Sequence, residues 1–200
     1  MQSQRSDLKP RYNFDAIGTQ WQIDIYQELS KSESDLLFSN IRERIDVFDK
    51  DYSRFRSDSL VTEMSQKAGE YVLPEDARKM FEIYHDIYLK TDGLVTPLIG
   101  NLISDAGYDA DYSLQQKKEL SMPPTWEEAM EYKYPKLKIK KPVMLDFGAA
   151  GKGYLVDIIS KLIEDKGYKQ YCVDAGGDIY YRNNDEMKVG LENPNNLEQV

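Results

Sequence analysis

Hydrophobic residues recur along this chain at two periods. Trp21, Ile23 and Ile25 alternate with polar neighbours, the pattern of a half-buried strand. Leu37, Ile41, Ile45 and Phe48 recur at helical spacing and predict a helix over 32–48, with Ser32 and Asp35 resembling a capping start. Ala77, Phe81, Tyr84 and Tyr88 predict a second helix, opened by Pro74 with Glu75 and Asp76 in its first turn and closed at Thr91-Asp92-Gly93. A shorter helical segment runs from Pro97 to near Gly107. Tyr154, Leu155, Ile158, Ile159, Leu162 and Ile163 predict a helix over 154–166, which Gly167 closes.

The remaining segments are shorter. Val143, Met144 and Leu145 read as a short buried strand, and residues 145–181 as a β-α-β element completed by Tyr171-Cys172-Val173 and Ile179-Tyr180-Tyr181. Between those two runs, Gly176 and Gly177 signal a bulge or the close approach of another backbone. Met187 to Leu191 reads as a further strand. Residues 109–141 are charged and irregular, apart from a short helix capped by Thr125 and Glu128 and a solvated basic run from Lys136 to Lys141. The fold class is α+β, a mixed β-sheet with packed helices. Residues 1–12 are expected to be disordered and 13–200 to form the folded domain.

Composition narrows the function. Two hundred residues suffice for a proper core. A formal charge of −9 and a pI near 4.8 argue against nucleic acid as a partner, because phosphate backbones select basic surfaces. Any anionic ligand must therefore be met by a local site. The lone cysteine, Cys172, lies in an apolar run and reads as a buried, inert thiol. The lone histidine, His85, sits on a helix flank among aromatic residues, so a Ser-His-Asp hydrolase and a His-rich metal site are both disfavoured. A bound metal would be hard and oxygen-liganded. No stretch approaches the roughly 20 apolar residues of a membrane span, and the first residues carry no apolar signal-peptide core.

The richest chemistry lies in Leu145-Asp146-Phe147-Gly148-Ala149-Ala150-Gly151-Lys152-Gly153, which places an acid, small residues and a lysine at a predicted helix start. Unpaired backbone N–H groups and the positive end of the helix dipole attract anions there, and glycine admits a ligand close to the backbone. The spacing matches neither a P-loop nor the G-x-G-x-x-G dinucleotide pattern. Taken alone, the segment suits a tight turn with a solvated lysine as well as it suits a phosphate cradle.

Taken together, six segments in order resemble the ApbE family of flavin transferases, over residues 14–194. Ile17-Gly18-Thr19 looks like the family's Met-Gly-Thr, and Ser53-Arg54-Phe55 with Ser59-Leu60 like its Ser-x-Tyr and Ser-Glu-Leu. Thr91 to Pro97 is similar to Thr-x-Gly-Ala-Phe-Asp-Pro, and Leu145 to Asp157 to the family's glycine turn with its Lys-Gly. Asp174-Ala175-Gly176-Gly177-Asp178 and Gly190-Leu191-Glu192-Asn193-Pro194 are similar to the two motifs that follow. Thr96 stands where the family has Asp, Phe55 where it has Tyr, and Ile17 where it has Met.

The resemblance implies Mg²⁺-dependent transfer of FMN from FAD to a threonine hydroxyl of an acceptor flavoprotein, with release of AMP. FAD contacts would fall on Ile17, Phe55, Leu94, Val95, Thr96, Asp146 and Lys152, and the backbone carbonyl of Ala149 would meet the metal. The family's later His-Ile-Ile-Asp-Pro and Asp-x-x-x-Thr motifs do not occur, so the catalytic residues are expected beyond Val200 and the FAD-binding domain is expected to be incomplete. That expectation carries two consequences: a non-catalytic FAD-binding protein or an FAD pyrophosphatase stands as the alternative, and marginal stability or self-association through a strand edge is expected. Location outside the cytoplasm, with any membrane association through a lipid anchor not in this chain, is likewise only implied by the family.

Overall fold

The computed structural model describes residues 9–190. Among them are seven strands: β1 (Arg11–Ala16), β2 (Thr19–Ile25), β3 (Gly69–Val72), β4 (Met130–Lys133), β5 (Lys136–Ile139), β6 (Tyr171–Ala175) and β7 (Asp178–Arg182). The helices are α1 (Lys31–Tyr52), α2 (Leu60–Gln66), α3 (Ala77–Lys90), α4 (Gly100–Asp105), α5 (Trp126–Ala129) and α6 (Gly151–Asp165), with a single 3₁₀ turn at Pro97–Ile99. No described helix is long and apolar enough to cross a membrane.

The class is α+β, but in place of one mixed sheet there are two antiparallel ones, ordered β1-β2-β6-β7 and β3-β5-β4. In the larger sheet Trp21 pairs with Ala175, Ile23 with Val173 and Ile25 with Tyr171. All six residues are buried. The alternation read in β2 thus continues across the sheet, and α6 packs on β6 and β7 and against α1.

Several elements differ from the sequence reading, each for a physical reason. Helix α1 starts one residue early, at Lys31, because Ser30, not Ser32, closes a reciprocal capping box with Glu33. It also runs on to Tyr52, whose ring packs 4.6 Å from that of Phe48 one turn earlier. Helix α3 starts at Ala77 rather than Pro74. Asp76 at its start makes no cap, because its carboxylate accepts from Tyr52 Oη at 2.5 Å and pairs with Arg44.

Lys136 to Ile139 is strand β5 rather than a solvated run, with Leu137 and Ile139 buried between exposed lysines. Val143 and Leu145 are buried but form no ladder. The Val143 N–H donates to the Met64 carbonyl and the Asp146 N–H to that of Pro97, so the β-α-β reading fails. Gly176 and Gly177 make a hairpin turn between β6 and β7 rather than a bulge, both at positive φ. The space there is crowded by a side chain rather than by another backbone: a Cβ on Gly176 would lie 2.0 Å from Thr19 Oγ1.

Arg11 and Tyr12 open β1, although the sequence placed them in the disordered segment; Met1–Leu8 lie outside the described residues. Residues 187–190 form no strand, and Leu191 with the rest of its motif lies outside the described residues. Cys172 is buried, and burial pushes its thiol up to about 11, consistent with an inert side chain.

Candidate functional site

A cleft of about 840 Å³ opens where five chain segments converge beside Tyr84 of α3. They are the β1–β2 turn, the end of α1 with the residues after it, the loop at 94–96 running into α4, the segment at 108–112, and the glycine turn leading into α6. Ile17, Phe55, Leu94, Val95, Thr96, Asp146, Ala149 and Lys152 all line it. Positions 135 residues apart at their extremes are thus brought to one concave surface.

The glycine turn forms the floor. Asp146 is fixed at both oxygens: Oδ1 accepts the Gly148 N–H at 2.7 Å and Oδ2 lies 2.5 Å from Arg54 Nε. Behind the turn, Phe147 is buried against the rings of Tyr52, Phe81 and Tyr84, which locks the backbone on either side. The Ala150 N–H donates to Tyr84 Oη at 3.1 Å and the Gly151 N–H to the Phe147 carbonyl at 2.7 Å. Burial raises the Tyr84 phenol above its ordinary value, so the hydroxyl stays protonated. Ala150 provides no side-chain cap, and the first backbone bond of α6 is made by Tyr154. The N–H groups of Lys152 and Gly153 therefore precede any helical acceptor and, among the described residues, are free for a ligand. Lys152 Nζ rests 3.3 Å from Asp178 Oδ2, a part-exposed and weak pair that a stronger anion can break.

On another wall, Thr96 caps the 3₁₀ turn by accepting the Leu98 N–H at 3.2 Å, and Thr91 Oγ1 accepts the Val95 N–H at 3.1 Å. The short threonine side chain thus serves as the cap where the family has an acid. Leu94 is 84 % exposed at the mouth. Ile17 sits at φ 43° in the β1–β2 turn, an unusual conformation for a β-branched residue, held by the Ala16–Thr19 pairing.

Sequence reasoning missed three contributors. Arg54 was only the variable residue inside Ser53-Arg54-Phe55, yet its side chain is 2 % exposed, it pairs with Asp146, and its guanidinium lies 4.1 Å from the Phe55 ring centroid. Tyr112 lay in the segment read as irregular and Tyr108 just before it, and both line the cleft. Two tyrosines four residues apart among polar neighbours were the available signal.

The donor set is poor for a metal. Asp146 is held by Arg54, Asp49 faces Arg56 at 3.3 Å, and no group of three metal-ligating side chains occurs among the described residues. The exposed Ala149 contributes a backbone carbonyl at most. These residues do not by themselves make a magnesium site, which favours several oxygen donors in near-octahedral array.

The model of the ApbE family matches residues 17–200 of the chain. Among solved structures, a point variant of the flavin transferase ApbE from Vibrio cholerae is 18 % identical, covers 86 % of this chain and 62 % of its own, and superposes with a TM-score of 0.74. The flavinyl transferase ApbE of Pseudomonas stutzeri is 18 % identical, with 86 % and 60 % coverage and a TM-score of 0.68. The ApbE protein of Thermotoga maritima is 19 % identical, with 84 % and 56 % coverage and a TM-score of 0.65. The chain therefore spans between 56 and 62 % of the length of these three structures, and the likeness is one of fold. No curated protein matches the chain.

Proposed function

The chain belongs to the ApbE family, and on that premise we propose that it binds FAD in the cleft and serves FMN transfer to an acceptor protein. The convergence of all eight candidate positions on one cleft of about 840 Å³ carries this reading. In it, Ile17, Phe55, Leu94, Val95 and Thr96 hold the ring systems and sugars. Lys152 and the free N–H groups of the first turn of α6 stabilise charge on the pyrophosphate. Asp146, pinned by Arg54 and Gly148, keeps the floor in shape.

The transfer has a simple balance. An acceptor threonine oxygen bonds to the FMN phosphorus, the P–O bond of the pyrophosphate bridge breaks, and AMP leaves with the electron pair while the hydroxyl proton goes to a base. The resemblance implies magnesium at the Ala149 carbonyl, and the described residues around it do not complete its coordination.

One observation favours a second reading, FAD binding without transfer. Both carboxylates lining the cleft are paired with arginines, so neither is a free base for the acceptor hydroxyl. Intact-mass measurement of a threonine-bearing flavoprotein, incubated with the chain, FAD and Mg²⁺, decides between them. A gain of one FMN, abolished by Lys152→Ala, is the expected result for a transferase. FAD uptake without gain supports the binding reading, release of free FMN and AMP without acceptor marks a pyrophosphatase, and failure to take up FAD ends the flavin reading.

A further inference from the structure

Three aromatic rings cluster at the cleft mouth: Phe55, Tyr108 and Tyr112. Phe55 and Tyr112 stack with centroids 5.3 Å apart and an interplanar angle of 11°, and Tyr108 braces both edge-on at 5.5 and 5.3 Å. Arg54 lies beneath, its guanidinium 4.1 Å from the Phe55 centroid and 5.0 Å from that of Tyr108. The result is a column of guanidinium, phenyl and phenol, with Tyr112 outermost and half exposed.

This cluster is expensive to build. Exposed aromatic rings gain little from burial, and Tyr112 sits at φ 51°, where a bulky residue is rare. The segment that carries the two tyrosines is nevertheless tied down. Buried Asp105 accepts from Lys117 Nζ at 2.7 Å and from the Ser121 N–H at 3.0 Å, and the Leu114 N–H donates to the Gly107 carbonyl at 2.9 Å. A tethered, strained loop that presents an open stacking position into a cleft matches the physics of ring recognition, since stacked flat rings gain dispersion and quadrupole attraction with little entropy loss.

Resting on the reading of the cleft as a FAD site, we propose that Tyr112, braced edge-on by Tyr108, stacks against a flat heteroaromatic ring of the ligand, which extends the column begun by Arg54 and Phe55. FAD carries two such rings, the isoalloxazine and the adenine, and FMN and AMP present them separately.

The test is titration of the chain with FAD, FMN and AMP, following flavin fluorescence for the first two and heat for the third, in wild type, Tyr112→Asn and Tyr112→Phe. Asparagine tolerates the left-handed backbone, so the Asn variant removes the ring without straining the loop. An unchanged melting temperature checks this. Tyr112→Asn should raise the Kd for FAD and for one of the half-ligands about tenfold, the scale of a lost stacking partner. Tyr112→Phe should bind as wild type. A selective loss with FMN, together with recovered flavin fluorescence, assigns the isoalloxazine; a selective loss with AMP assigns the adenine. Equal affinities in wild type and Tyr112→Asn, or an equal loss in Tyr112→Phe, would overturn this inference and leave the FAD reading standing. A wild-type chain that binds none of the three ends both.

Discussion

Gly153 separates stability from function more sharply than any other position. It is the third residue of α6, its φ is not positive, and a Cβ built there meets nothing within 4 Å. In a helix with open space around it, alanine is favoured over glycine because it loses less backbone entropy, by about 0.5–1 kcal/mol. Gly153→Ala should therefore stabilise the ligand-free protein, raising its melting temperature by about 1–4 °C for a chain of this size. If an anionic ligand lies against the backbone at Gly153 itself, next to the cleft-lining Lys152, the same methyl intrudes on it. Overpacking of that kind costs about 1–3 kcal/mol, a loss of roughly fivefold to 150-fold in affinity. The assay is a pair of measurements on one variant: thermal or denaturant unfolding without ligand, and FAD titration. Higher stability with weaker FAD binding is the expected pairing. Higher stability with unchanged affinity would refute the argument that the helix start is a phosphate cradle.

Gly100 should behave oppositely, because a Cβ there would lie 2.4 Å from the Met144 carbonyl oxygen although the backbone is ordinary helix. Gly100→Ala should destabilise by about 1–3 kcal/mol, read as a lower denaturation midpoint, and should weaken FAD binding too, because the displaced segment carries Asp146. Asp105 gives a pH dependence. Its side-chain bonds from Lys117 and Ser121 hold its carboxyl down at about 2 in the folded protein, against about 3.9 when unfolded. A lowered folded value means that the contribution is complete above the unfolded value and is lost as pH falls through the window from about 4 to 2. Wild type should therefore lose stability more steeply than Asp105→Asn across that window in acid unfolding monitored by circular dichroism, and parallel curves would refute the assignment.

What the sequence revealed depended on how each element earns its stability. The stripe of α1 was legible because four buried residues repeat at helical spacing, and β2 because its alternation is clean. Strand β5 has the same alternation, but its lysines disguised a half-buried strand as a charged run. Leu145 was misassigned because a short apolar run reports burial and not the partner of its N–H groups, which here are loop carbonyls. The candidate site positions came from motif resemblance; periodicity alone would not have linked Ile17 to Asp146. Arg54 escaped because its importance lies in a contact across 92 residues, which no local pattern encodes.

The electrostatics of the cleft bear on how an acidic chain could hold a ligand as anionic as FAD. The net charge of −9 repels such a ligand at long range. The lining residues nonetheless include three cations, Arg54, Arg56 and Lys152, against two carboxylates, Asp49 and Asp146. Arg56 also binds Asp46 and Asp58, so one guanidinium is shared among three carboxylates from α1 and from the loop that follows it. Arg54, paired with Asp146 and covered by aromatic rings, sits where solvent screens it little. Among the described residues Lys152 pairs with the part-exposed Asp178 and can turn to a ligand without exposing a buried charge. At physiological salt, charges more than about 8 Å away are largely screened. The cations of the lining therefore act on a ligand at short range while the distant acids are screened, and the arginines of the 53–56 loop, by pairing with Asp146 and Asp49, weaken the repulsion of those two carboxylates.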